Sequence, residues 1–174
     1  CRPKTLADAY VNVGGAYSET CEYVAALDCM LKALETWTVS HDETYPETSN
    51  YIAHVATAYR NLGNFEKELE YRQKVLSVNI SNLGYNSEKV AKSLVDIGFT
   101  YGHMKQYDKQ KEYIQKSLEI RIKLFGDNHK DVAETYYNLG YTYHDLCDLQ
   151  NAIVNLNKYL DISKQINGEE DIKV

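Results

Sequence analysis

Imidazole and thiol groups are the first candidates for chemistry in this chain. His144 and Cys147 are spaced i, i+3, so one helical face would offer both to a metal ion, and His103 stands about one repeat period earlier. Zinc takes four ligands from a recognisable cluster, and this set is too small, so no metal is expected. The glycine-rich, Walker, zincin, serine-elbow and EF-hand patterns are all absent from the sequence. Glu169, Glu170 and Asp171 form a C-terminal acidic run of the kind that stays solvated. No cofactor is called for, and an enzyme is not expected. Groups suited to binding are better represented. Tyr137 and Tyr141 are spaced i, i+4, which sets both rings on one side of a helix. Tyrosine occurs 16 times in 174 residues, against 3 Phe and 1 Trp. Its apolar ring and polar tip suit half-buried helix faces and contact surfaces.

Composition narrows the setting. Lys plus Arg total 19 and Asp plus Glu 25, a net charge of −6 with no basic block, which argues against a nucleic-acid partner. Apolar residues at 44% and charged residues at 25% match soluble domains, and no apolar run approaches the roughly 20 residues of a spanning helix, so no membrane insertion is expected. Two prolines and nine glycines are too few for a linker-rich or all-β chain. The opening Cys1–Asp8 stretch lacks a signal-peptide core and does not begin with Met, so a segment of a longer, cytoplasmic protein is expected. Four cysteines without Cys-x-x-Cys spacing fit a reducing compartment, with Cys21 and Cys29 expected as buried free thiols. The Asn79-Ile80-Ser81 sequon is given no role without a secretory signal.

The elements that must position these groups follow from an internal period of 42 residues. A small residue recurs as Gly14, Ala56, Gly98 and Gly140, and a tyrosine three places on as Tyr17, Tyr59, Tyr101 and Tyr143. Before the small residue stand Val13, Val55, Ile97 and Leu139, and before those Tyr10, Ile52, Leu94 and Tyr136, the spacing of one packed helical face. The small residue should let a neighbouring helix approach closely. After a break, a second helix opens at Tyr23, Phe65, Tyr107 and Leu149 and continues through Leu34, Leu76, Leu118 and Leu160. Gly84 and Gly126 stand at its C-terminal end, where a positive φ is wanted, with Asp42 taking that place in the first repeat. Pro46 is placed at the first helical position of the next helix and Ser87 at an N-cap. The reading is all-α: four repeats over about 5–42, 47–84, 89–126 and 131–166, one domain over 1–166, and a polar tail over 167–174.

This pattern resembles the tetratricopeptide repeat, and its period, longer than the usual 34 residues, resembles the kinesin-light-chain type. The joint Leu124-Phe125-Gly126-Asp127-Asn128-His129-Lys130-Asp131-Val132-Ala133 is similar to the linker of that type, with Lys130 in place of proline, while the first joint keeps Pro46 but has Tyr45 for histidine. Glu68 and Gln110 depart from the small residue held by Ala26 and Ala152, and their long side chains are expected to reach solvent. Trp37, whose equivalents are the polar Asn79, Arg121 and Ser163, is expected to pack on the weak end of its own helix.

The resemblance implies a right-handed α-solenoid whose first helices line a concave groove, and protein or linear peptide partners bound there. The groove set it implies comprises Asn12 from the first repeat and His54, Arg60 and Asn61 from the second. The third gives Lys92, Asp96, Phe99 and His103, and the fourth Tyr137, Asn138, Tyr141 and His144. In relatives an Asn at the position of Asn12 and Asn138 clamps the backbone of an extended peptide, since an amide both donates and accepts. His54 and Asp96 stand there in the middle repeats. Val11, Gly15 and Asp96 occupy positions where relatives grip acidic chaperone tails with Lys, Asn and Arg, so no such tail is expected to bind. The function expected is a non-catalytic interaction module, the scaffold or adaptor part of a larger protein. The alternative is a structural spacer that self-associates through its end repeats, neither of which carries an obvious polar cap.

Overall fold

The computed structural model describes the backbone of residues 3–42 and 44–171 and the side chains of 4–42 and 44–166. Among the described residues there are eight helices and no strand: α1 Pro3–Glu19, α2 Tyr23–Thr38, α3 Thr48–Asn61, α4 Phe65–Leu83, α5 Glu88–His103, α6 Tyr107–Phe125, α7 Lys130–Asp145 and α8 Leu149–Asp171. All four second helices open on the residues that the period marks. The acidic run and the expected tail lie outside the described side chains. None of the described helices is long and apolar enough to cross a membrane.

The turn inside each helix pair is built the same way four times. Glu22, Asn64, Gln106 and Asp148 each donate a backbone N–H to the carbonyl of the recurring tyrosine five residues earlier, at 2.8 to 3.0 Å. Cys21, Gly63, Lys105 and Cys147 donate to the next carbonyl along and hold left-handed φ angles of 62°, 72°, 59° and 59°. This is the Schellman stop, and three of its four left-handed positions carry a side chain at a steric cost. Cys21 is exposed rather than buried, because the turn lifts it off the helix, whereas Cys29 is buried as expected.

The chain forms two compact units, Cys1–Tyr85 and Asn86–Val174. In the first, α1 to α4 enclose Ala7, Ala33, Trp37 and Tyr51 in one cluster, and Met30, Val55 and Ala58 in another. Trp37 packs as expected: its ring stacks on His41 at 3.7 Å and on Tyr51 at 4.8 Å, and its Nε1 donates to Thr48 Oγ1 at 2.8 Å. Asp42 does not take the left-handed place. Helix α2 stops earlier, at Thr38, and Asp42 instead accepts from the backbone N–H and hydroxyl of Thr44. Pro46 precedes α3 by two residues rather than opening it, and its carbonyl accepts from the Ser49 hydroxyl.

In the second unit, α6 to α8 enclose a cluster of Val132, Ala133, Tyr136 and Ile162. Gly140 shows why a small residue is needed on the first helix: a Cβ there would lie 2.6 Å from Leu156 Cγ. Gly84 and Gly126 close α4 and α6 with φ of 76° and 77°. Ser87 directly precedes α5 in extended conformation. His129 caps α7, its Nδ1 accepting from the Asp131 N–H at 3.2 Å while its ring stacks on Phe125. The Asn79 of the sequon is buried in α4.

Glu68 and Gln110 are buried and do not reach solvent. Glu68, 1% exposed, pairs at 3.6 Å with buried Arg72, whose Nη2 donates to Thr57 Oγ1 at 3.2 Å. Gln110 fits because Gly102 faces it: a Cβ there would come within 2.6 Å of Gln110 Oε1. Val13 and Leu160, placed on packing faces by the period, are exposed in the outermost helix pairs.

Candidate functional site

The groove residues fall into separate groups in the two units. In the first, α1 and the start of α3 wall a cleft of about 450 Å³, into which Lys4, Asp8, Asn12, Asn50 and His54 face. Its floor is fixed by Tyr51, whose hydroxyl donates to Asp8 Oδ1 at 2.6 Å. Burial, followed by the Asp8 carboxylate, raises the Tyr51 pKa, so the phenol stays a neutral donor. Desolvation by the helices around it, followed by the Arg72 cation, lowers the His54 pKa, although the ring keeps solvent contact. At neutral pH the cleft therefore presents a neutral imidazole and two amides, with Lys4 and Asp8 also in its lining. Arg60 and Asn61 lie half-buried at the far end of α3 and do not line this cleft.

In the second unit, α7 and α8 wall a cleft of about 560 Å³ lined by Lys130, Glu134, Tyr137, Asn138, Tyr159 and Ser163, among others. Three of its α7 residues are repeat counterparts of residues in the first cleft: Lys130 of Lys4, Glu134 of Asp8, and Asn138 of Asn12, each three periods on. The same cation, carboxylate and amide therefore recur at one helical spacing in each unit. Tyr137 takes the place of Val11 and adds an aromatic wall. Its ring lies 4.7 Å from Tyr141 and 5.1 Å from Tyr159. Hydrogen bonding with Tyr141 raises the Tyr137 pKa. Tyr141 and His144 line a second cleft of about 350 Å³ against Leu149, Ile153 and Leu156 of α8.

On α5, Lys92, Phe99 and His103 are exposed and Asp96 is half-buried; neither of the two larger α7–α8 clefts includes them. Sequence reasoning missed the contribution of the second helices. A cleft of about 480 Å³ in the first unit is lined by Leu34 and Glu35 of α2, Tyr71, Lys74 and Val78 of α4, and Ile52 of α3. Its signal in the sequence is the irregular first joint, where Asp42 and Tyr45 stand for Gly84 and Ser87, and the lining residues Thr44 and Thr48 stand for Asn86 and Val90. Among the described residues no group of three His, Cys, Asp or Glu side chains is gathered as for a metal ion.

The tetratricopeptide repeat model matches residues 5–81 and 89–165. The chain belongs to the tetratricopeptide repeat family. It is an all-α repeat solenoid of that family, whose fold typically serves as a non-catalytic protein-interaction scaffold. No curated protein is significantly similar to it in sequence. Among solved structures it is similar to BtubC (BKLC) from P. vanneervenii, with 22% identity and a TM-score of 0.84 over 95% of this chain and 66% of that one. It is also similar to the nearly identical TPR-like repeats described as a kinesin light chain of Podosopora anserina, with 15% identity and a TM-score of 0.79 over 94% of this chain and 77% of that one. A Rap protein complexed with Competence and Sporulation Factor matches with 18% identity and a TM-score of 0.69 over 91% of this chain and 43% of that one. The chain thus spans just under two thirds of the first of these structures and less than half of the last.

Proposed function

We propose that the chain binds a linear peptide segment of a partner protein along the face of its first helices, α1, α3, α5 and α7. It would act as the scaffold or adaptor part of a larger cytoplasmic protein, with residues 1–166 working as one binding domain. The observation that carries this reading is the recurrence of one binding set, Lys4-Asp8-Asn12 and Lys130-Glu134-Asn138, at the walls of two clefts. A cation, a carboxylate and an amide spaced four residues apart suit a peptide backbone, which offers N–H and C=O groups alternately. The exposed Tyr137–Tyr141 pair supplies an aromatic anchor beside Asn138. Lys92, Asp96, Phe99 and His103 on α5, and Arg60 and Asn61 at the end of α3, belong to the proposed set as residues of first helices. The complexed Rap protein supports this as an analogy of fold. Binding is non-covalent and needs no cofactor.

The test begins with peptides selected from a random library on the immobilised chain. Asn138→Ala and Tyr141→Ala each weaken a selected peptide by about 1–3 kcal/mol if they are anchors. Unchanged affinity in both variants moves the site elsewhere.

A further inference from the structure

The first and last helix pairs expose side chains whose counterparts elsewhere in the repeat are buried, on α1, or half-buried, on α8. Leu6 is 41% exposed, while its counterparts Thr48, Val90 and Val132 are at 0%. Val13 is 48% exposed, while Val55 and Ile97 are at 0%. On α8, Ile153 and Leu160 are 56% and 46% exposed. Their counterparts in the first unit, Leu27 and Leu34 of α2, pack against the cluster that contains Val55, the counterpart of Val13. In the second unit Leu118 of α6, another counterpart of Leu160, packs against the cluster that contains Val132, the counterpart of Leu6. Each half of the contact between one second helix and the following first helix is therefore present, apolar and uncovered: the receiving half on α8, the entering half on α1.

We propose that a second copy of this chain docks its α1 face, through Leu6 and Val13, onto the α8 face of the first, through Ile153 and Leu160. This continues between copies the α2–α3 and α6–α7 contacts found within each unit. The occupant is argued from that continuity: α1 carries Leu6 and Val13 where α7 has Val132 and Leu139, and α3 has Val55 at the second of these positions, so it is the chemistry the α8 face is built to receive. The contact joins two different surfaces, so it does not close on a two-fold axis and each docked copy keeps one of the two faces free for a further copy. On the α1 side the inference is independent of the groove reading, since Leu6 and Val13 line none of the described clefts, whereas Ile153 shares a cleft with Tyr141.

The experiment is sedimentation velocity on the 174-residue chain from micromolar to millimolar concentration, with two double variants. Leu6→Lys with Val13→Lys blocks the α1 face, and Ile153→Lys with Leu160→Lys blocks the α8 face. All four side chains are exposed, so the variants keep the wild-type helical circular dichroism. The wild type is expected to gain mass steadily with concentration, each variant to stay monomeric, and an equal mixture of the two to form dimers and stop there. A wild type whose mass is independent of concentration overturns the proposal and leaves the two faces to further helix pairs of a longer chain. A mixture that stays monomeric, or single variants that still assemble, overturns it as well. Peptide affinity measured on the Leu6→Lys/Val13→Lys variant, whose residues line none of the described clefts, keeps the two readings apart, because it is unchanged whichever way assembly behaves.

Discussion

The two units fill the same repeat positions with opposite chemistry. In the first, position 37 and the residue 14 further on are Trp37 and Tyr51, and their rings stack at 4.8 Å. In the second the same two positions hold Arg121 and Thr135, joined by a hydrogen bond of 2.7 Å, with Arg121 Nη1 also donating to the Asp131 carbonyl at 2.8 Å. Both pairs are buried, and both tie a second helix to the following first helix. A joint of this repeat thus tolerates an aromatic stack or a charged hydrogen-bond donor, provided the pair is filled together. Polarity at one position says little about its exposure without its partner.

The two solutions should fail differently. Trp37→Ala removes a large buried ring from a stack of three and should cost about 3–5 kcal/mol in urea denaturation. Arg121→Ala should cost about 1–3 kcal/mol, because Thr135 still donates to the Asp131 carbonyl at 2.7 Å and no buried charge is left behind. Equal costs would break the comparison. The small-residue position gives a second contrast. Glu68→Ala leaves Arg72 without its buried carboxylate and should cost about 3 kcal/mol. Gln110→Ala removes a neutral amide at the same position and should cost about 1 kcal/mol. If Gln110→Ala proves the more harmful, the Glu68–Arg72 pair is not what stabilises the α3–α4 packing.

The turns sharpen the comparison at smaller magnitude. Gly63 and Lys105 share one left-handed position, one in each unit. Lys105→Gly should stabilise the second unit by about 1 kcal/mol, and Gly63→Ala should destabilise the first by about the same, both read by thermal unfolding. The smallest effect is confined to the first unit. The His54 pKa is lowered in the folded chain, so the unfolded chain binds more protons and stability declines as pH falls through the unfolded value of about 6.5. His54→Asn should flatten that part of the pH profile, and an unchanged profile would show that His54 titrates freely.

The period of the sequence was enough to read the eight described helices and the starting residues of the four second ones, because small residue, tyrosine and apolar face recur in step. What it could not supply was the environment of positions that break the pattern. Glu68 reads as a surface residue until Arg72, one turn later, is seen to enter the interior with it. Val13 and Leu160 read as core, and they are exposed because the period states what a side chain needs and not whether a neighbour supplies it. Cys21, Lys105 and Cys147 gave no hint of left-handed backbone, since only Gly63 among the four announces it. The residues of the proposed binding face could be named from the sequence as a list. The recurrence of Lys, carboxylate and Asn at two cleft walls needed the positions of α3 and α8 as well.

The central claim is that the first helices form the binding face. Titrating a selected peptide into isotope-labelled chain and mapping the amide resonances tests it most directly. The account predicts that the perturbed signals concentrate on α1, α3, α5 and α7, around Asn12, Lys92 and Asn138, with the Tyr141 ring shifted. Perturbations confined to α2, α4, α6 and α8, with the Asn12 and Asn138 signals unmoved, would contradict it.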